Sequence, residues 1–456
     1  MADLPEVLVA QDLARKIVAL KASSLPKALR IKCEDLLVDV VGLAVAARNE
    51  DYVKATLAAC DDDGPCTAIG HARTLSAAAA ALVNGTAIHG EDFDDTFEGG
   101  PVHAGAVIVP AVLAACERHG RDGASALLGI AVGCEVMCRL STVIPKAVHK
   151  AGFHPTAVFG AMGAAAGVGA ALGLNEKQMT DALGIAASMA SGIIEYLAEG
   201  SWTKRMHAGW AAQSGIRAAL MGREGFYGPR TVFEGVHGLF HGFAHSTKGN
   251  YAALTDDFGQ TWVTETLAFK PYPCGTMAHP FIDCAKKLAA QGVKAADIKT
   301  ITCETAEGIV HRLWEPLADK QQPKNGYMAK FSIPYLLATG FVHGDVGFEH
   351  FTDNAIHDPN VLAVSRKVTY VVDPNNPYPN AFTGHIRAVM TDGQVVEIRQ
   401  PHFRGGANEP LTRKDIEDKF ALNVRHGGWS AEQGKSALAL LGKIFDGKIE
   451  LNALRG

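Results

Sequence analysis

From Pro155 to Asn175 the chain runs twenty-one residues without a charge: PTAVFGAMGAAAGVGAALGLN. A helix of that length can cross a bilayer. Its content argues for another place. Ala and Gly supply little transfer energy, and His154 abuts the stretch. Gly160, Gly163, Gly167 and Gly169 lack the Cβ atoms that keep neighbouring helices apart. The stretch is expected to be a central buried helix among other closely packed helices, and not a membrane span.

The surrounding sequence agrees with that expectation. Leu29, Cys33, Leu36, Val40 and Leu43 recur at helical spacing after Pro26. Further helical stretches are expected near 75–89, 106–118, 124–141, 156–173, 178–198 and 206–222. Character changes after about Lys270. DIKTITCET from Asp297 and RKVTYVVD from Arg366 read as strands. GHIRAVMTDGQVVEIRQ from Gly384 reads as two strands joined at Asp392-Gly393, a hairpin signal. Helices near 277–291 and 328–341 lie among them. After Gly405 the pattern turns helical again, with Thr412 and Asp415 spaced as a capping pair and a further helix over 430–445.

At 456 residues the chain exceeds one ordinary core. The expected fold class is mainly α: a large all-helical domain plus a smaller α+β lid domain. The helical domain would be discontinuous, 1–269 and 405–456, with the α+β lid domain over 270–404. A net charge of −5 gives no broad attraction for nucleic acid or an anionic membrane. The nine cysteines are scattered with no C-x-x-C pair. With no secretion-type leader in view, reduced thiols in a cytoplasm are expected.

The chemistry gathers at a few places. HGEDFDDT, from His89 to Thr96, puts four acids at the end of an alanine-rich helix, and His103 follows. Taken alone, such acids are solvated caps of local backbone. GFHP puts His154 at the start of the glycine-rich helix. SWTKRMHAGWAA puts Lys204, Arg205 and His207 at another helix start, where cations oppose the macrodipole and an anionic ligand would explain them. FKPYPCGTMAHP holds Lys270, Cys274 and His279 at the junction of the two halves. No H-E-x-x-H, P-loop, G-x-G-x-x-G or G-x-S-x-G occurs, and the histidines lack zinc spacing.

Together, HGEDFDDT with His103, GFHPTAVFG, WTKRMHAGWAA, FKPYPCGTMAHP and AKFSIPY resemble the MmgE/PrpD family over nearly the whole chain and in the same order. The resemblance implies a homodimer with no metal and no organic cofactor. It implies catalytic roles for His103, His154, Asp92 and Tyr335. It implies substrate contacts from Thr96, Lys204, Lys270, His207, Cys274 and His279. The implied activity is that of a lyase on a small di- or tricarboxylate, with a dehydratase of the 2-methylcitrate type leading and epimerase, racemase or decarboxylase as alternatives. Such chemistry needs a base for a C–H proton beside a carboxylate, and positive charge where the carbanion develops. Asp92 is expected to orient His103 or His154. A non-catalytic carboxylate-binding protein is the reading from a different class, but binding alone needs cations and not several imidazoles.

Overall fold

The computed structural model describes residues 8–456. Its main elements, in chain order, are α1 (Val9–Ala19), α2 (Lys27–Ala47), β1 (Asp63–Thr67), β2 (Thr74–Leu75), α3 (Ala77–His89), α4 (Gly105–His119), α5 (Gly123–Val143), α6 (Pro155–Leu172), α7 (Glu176–Met189) and α8 (Thr203–Arg223). They continue with α9 (His279–Ala290), β3 (Ile298–Thr305), α10 (Ile333–His343), β4 (Val368–Val372), β5 (Gly384–Met390), β6 (Val395–Gln400), α11 (Arg413–His426) and α12 (Ala431–Leu441). Short helical turns connect them. The protein is mainly α. It divides into two compact units: one running to Leu267 and resuming at Thr412, the other spanning Ala268–Leu411.

The first unit is a stack of helices around α6, which packs against α4, α5, α7 and α8. Two helices of the described residues, α5 and α6, are long and apolar enough to cross a membrane, and 89% of each apolar window is buried inside the protein. The glycines explain how they fit. A Cβ on Gly167 would stand 2.6 Å from the Gly129 carbonyl oxygen, and one on Gly163 2.8 Å from that of Gly133. Paired glycines thus let the α5 and α6 backbones touch. The α3–α8 crossing uses the same device, since a Cβ on Gly209 would meet the Leu82 carbonyl oxygen at 2.1 Å.

This unit is not wholly helical as expected. β1 and β2 form a small antiparallel ladder with Thr67 opposite Thr74. Gly64 and Pro65 mask the strand in the sequence, because both residues weaken a β pattern. The ladder is held from outside: the Glu117 carboxylate accepts from both the Thr67 amide and its hydroxyl at 2.7 Å. The helix expected over 178–198 is also shorter and stops at Met189. Gly192, at φ +110°, turns the chain so that its carbonyl accepts from the His154 amide at 2.8 Å.

The resumed segment belongs to the same unit. α11 begins with the capping box of Thr412 and Asp415 and lies along α2. Arg413 pairs with Asp35 at 3.0 Å.

The second unit has a four-stranded sheet in the order β4-β3-β5-β6. β3 and β4 are parallel, and the other neighbours are antiparallel. Ile301, Cys303, Ile386, Ala388 and Ile398 form its apolar side and share one core with Phe281, Ile282, Leu336 and Leu337 of α9 and α10. Gly393, at φ +88°, closes the β5–β6 hairpin. The helix expected over 328–341 starts later: Ser332 caps a fresh helix at the Tyr335 amide, with Pro334 in its first turn.

Candidate functional site

α3 is a helix of small and apolar residues that ends on His89. The chain then leaves through Gly90, where a Cβ would strike the Tyr52 hydroxyl at 2.1 Å. Asp92 follows in the left-handed region, φ +56°, a conformation that Asp tolerates better than most residues and that tends to mark functional loops. The bend throws successive acids in different directions, so each has its own partner.

Glu91 accepts from Arg205 at 3.0 Å and from the Tyr52 hydroxyl at 2.9 Å, while the Arg205 guanidinium lies 4.4 Å over the Tyr52 ring. Asp92 pairs with Lys204. Asp94 Oδ2 is 2.7 Å from His89 Nδ1. Asp95 caps α4, accepting from the Ala104 and Gly105 amides at 3.0 and 2.9 Å. Burial, with Asp94 and Asp39 close by, pushes the Asp95 carboxyl up to about 8. The two cations at the start of α8, unfavourable to that helix on their own, are therefore matched by the acids that follow α3.

The histidines come from separate elements. His103 precedes α4; its Nδ1 is 2.7 Å from the Asp95 carbonyl, and its amide donates to Thr156 Oγ1 at 3.3 Å. His154 precedes the first turn of α6 and is buried. His207 lies in α8, and its Nδ1 is 3.2 Å from His154 Nδ1. Tyr196 packs edge-on against both rings. Burial first, then the charges of His89 and Lys204, hold His154 well below the ordinary histidine range. The same causes bring His207 down to about 4. Both rings are thus neutral near pH 7, which makes one nitrogen of their contact the donor and the other the acceptor.

The loop is also fixed from beneath. Lys419 of α11 donates to the Phe93 carbonyl at 2.7 Å, pairs with Asp39 of α2 at 2.6 Å, and sits 3.8 Å over the Phe93 ring. A buried ammonium with a carboxylate, a carbonyl and an aromatic face is well satisfied.

The first unit thus brings together Asp92, Thr96, His103, His154, Lys204 and His207, with Thr96 buried at the end of the loop. Asp92, expected to orient His103 or His154, pairs with Lys204. Asp94 holds a histidine, and the Asp95 carbonyl holds His103. Lys270, Cys274, His279 and Tyr335 belong to the second unit. Lys270 is buried there. The other three make contacts inside that unit. The Tyr335 hydroxyl donates to the His350 carbonyl at 2.7 Å, and burial raises it to about 12, which commits its proton to structure. Cys274 has no exposed surface and sits in that unit's apolar core. His279 Nε2 is 3.2 Å from the Cys274 carbonyl, with Tyr272 and Phe403 edge-on to its ring.

Sequence reasoning gave no site role to His89, Asp94, Asp95, Asp39 and Lys419, although the first three lie in the quoted HGEDFDDT cluster. For the first, position was the available signal: a histidine ending an alanine-rich helix has no reason of propensity to be there. Lys419 gave none, because its partners lie hundreds of residues away. His89, Asp94 and His103 also offer three atoms within 4.8 Å of one another, a spacing that a metal ion can use. The same residues are engaged in the His89–Asp94 and His103–Asp95 hydrogen bonds, and Lys204 adds positive charge to the site.

Two family models match the chain: the MmgE/PrpD N-terminal domain over residues 11–252 and the MmgE/PrpD C-terminal domain over 272–440. The chain is similar to the cis-aconitate decarboxylase-like protein oryM of Aspergillus oryzae, 27% identical with 91% of this chain and 90% of the relative covered. It is similar to cis-aconitate decarboxylase of Homo sapiens, 30% identical with 76% and 72% covered. A 2-methylcitrate dehydratase of Cupriavidus necator matches a shorter part, 26% identical with 41% and 40% covered. By sequence model and by relatives alike, the chain belongs to the MmgE/PrpD family.

Proposed function

We propose that this protein is a cofactor-independent lyase that moves a proton at the carbon beside a carboxylate of a small di- or tricarboxylate. The observation that carries the reading is the group of His103, His154 and His207 next to Lys204, with the last two rings buried and held neutral. A neutral imidazole accepts a C–H proton and returns it as an acid, and a nearby ammonium stabilises the charge that develops on the substrate. His103 and His154 are the proposed proton carriers. Lys204 and Lys270 are the proposed carboxylate-binding cations, with Thr96 and Asp92 as neighbours that shape the site.

Dehydration and decarboxylation share that centre and differ in what leaves. The dehydratase reading follows from the sequence motifs. The decarboxylase reading has the wider similarity behind it, since the relatives matched over most of their length carry that name. Incubating the purified protein with a panel including cis-aconitate and 2-methylcitrate in deuterated water separates them. Loss of carbon dioxide marks one and loss of water the other; deuterium incorporation without net change marks an epimerase. No turnover and no exchange with any member would sink the reading.

A homodimer is proposed as well. Ile193, Leu197, Trp202 and Trp210 are large apolar side chains left exposed in and just before α8. None of the nine cysteines is in a disulfide among the described residues, which supports a reducing compartment such as the cytoplasm.

A further inference from the structure

His89 is the most enclosed ring of the cluster. Neither its side chain nor that of Asp94 has exposed surface. Asp94 Oδ2, 2.7 Å away, accepts the proton on His89 Nδ1, and the other ring nitrogen, Nε2, is buried without a hydrogen-bond partner among the described residues. A buried polar atom left unmatched costs about 1–3 kcal/mol. The rest of α3 is Ala, Leu, Val, Ile, Gly, Asn and Thr, and an apolar ring or leucine at its end would fill the same space without that cost. Packing alone does not account for a histidine here.

Its neighbours do. The His89 ring centre is 5.1 Å from that of His103 and 5.5 Å from that of His154, nearly parallel to the latter at 22°. His154 in turn meets His207. The four rings form a row in which His89 separates the two proposed proton carriers. Asp94 spans the same gap, its second oxygen lying 3.8 Å from His103 Nδ1.

We propose that His89, held by Asp94, is a positioning residue for the proton-transfer site, wedged between His103 and His154 so as to fix their ring planes and spacing. The proposal rests on the lyase reading above. The charged and titratable groups that face this row are Asp94 and Asp95 from the loop, His103 before α4, His154 at α6, Lys204 and His207 from α8, Asp92 beside Lys204, and Tyr196. Within that set, His89 and Lys204 both act to keep His154 and His207 unprotonated. Removing His89 makes those two rings take up protons more readily, so an activity that needs a neutral base loses its acidic limb at higher pH.

Two variants of the full-length protein test this. His89→Phe keeps an aromatic ring and removes both nitrogens; His89→Gln keeps a donor for Asp94 and removes the ring. kcat and KM are measured from pH 5 to 9 on whichever panel member the wild type converts. Histidine nitrogen NMR on 15N-histidine-labelled protein is recorded alongside. For His89→Phe we expect kcat to fall at least about 10-fold with KM within about 3-fold, and the acidic limb to rise by about half a pH unit. The His103 and His154 nitrogen signals shift as well. Wild-type kcat and pH profile in His89→Phe, or a loss confined to KM, would overturn the proposal. If His89→Phe does not fold, His89→Gln gives the same readouts, and the same results support or overturn the proposal. If the wild type converts no panel member, the lyase reading fails on its own. The NMR arm then decides: unchanged His103 and His154 nitrogen signals in either variant refute the positioning role.

Discussion

Replacing His207 with asparagine should reverse the order of stability between variant and wild type as pH falls. The folded protein holds His207 at about 4, against an ordinary value of 6.5. Below pH 6.5 the unfolded chain takes up a proton that the folded chain refuses until about pH 4. Stability contributed by the neutral, buried ring is therefore complete above pH 6.5 and drains away as pH drops through that window. The full shift corresponds to about 3 kcal/mol, of which about 2 kcal/mol is lost by pH 5. At pH 7 the asparagine variant is the less stable protein by about 1–2 kcal/mol, having lost packing and the contact with His154. Its amide does not titrate, so near pH 5 the two curves meet and below it the variant is ahead. Urea midpoints followed by tryptophan fluorescence suit the measurement, because Trp202, Trp210, Trp262 and Trp429 belong to the first unit and Trp314 alone to the second. A wild-type-minus-variant difference that stays flat from pH 7 to pH 5 would refute the reasoning.

Four further outcomes are expected. His103→Ala lowers kcat about 100-fold or more with an unchanged circular dichroism spectrum, the usual cost of losing a general acid–base; near-normal turnover removes it from the chemistry. Lys204→Met lowers kcat/KM by the equivalent of about 2–5 kcal/mol, read from initial rates, whereas a lysine with no substrate role would show a change within about half a kcal/mol. Gly209→Ala destabilises the first unit by about 3 kcal/mol or more, because its Cβ would stand 2.1 Å from the Leu82 carbonyl; calorimetry showing a wild-type Tm contradicts the close crossing of α3 and α8. Activity survives exhaustive chelation, and stoichiometric metal in active protein, with activity lost on its removal, would reassign His89, Asp94 and His103 as ligands.

What the sequence made readable follows from which interactions are local. The Gly-rich stretch announced α6 because glycine spacing and absence of charge are written in consecutive residues. The Asp392-Gly393 turn announced the β5–β6 hairpin for the same reason. His103, His154 and Lys204 could be picked out by motif, but what each one touches could not. The motif drew attention to Asp92 as an orienting carboxylate, but neither its pairing with Lys204 nor the contact of Asp94 with His89 could be read from it. Tyr335 and Cys274 were picked out by motif, but the hydrogen bond of the Tyr335 hydroxyl and the apolar surroundings of Cys274 are tertiary facts. β1 escaped because Gly64 and Pro65 speak against a strand that Glu117, fifty residues on, holds in place.

The ammonium of Lys419 has a consequence for how this protein is made. A ribosome delivers the histidines first and residue 419 only after the entire second unit has emerged. Until then Asp39 and the Phe93 carbonyl are without the ammonium that bridges them beneath the acidic loop. Nascent chains arrested before α11 should carry every proposed proton carrier and still be inert. Maturation of the site is in this sense timed by translation, with the Lys419 support arriving only once the second unit has been made.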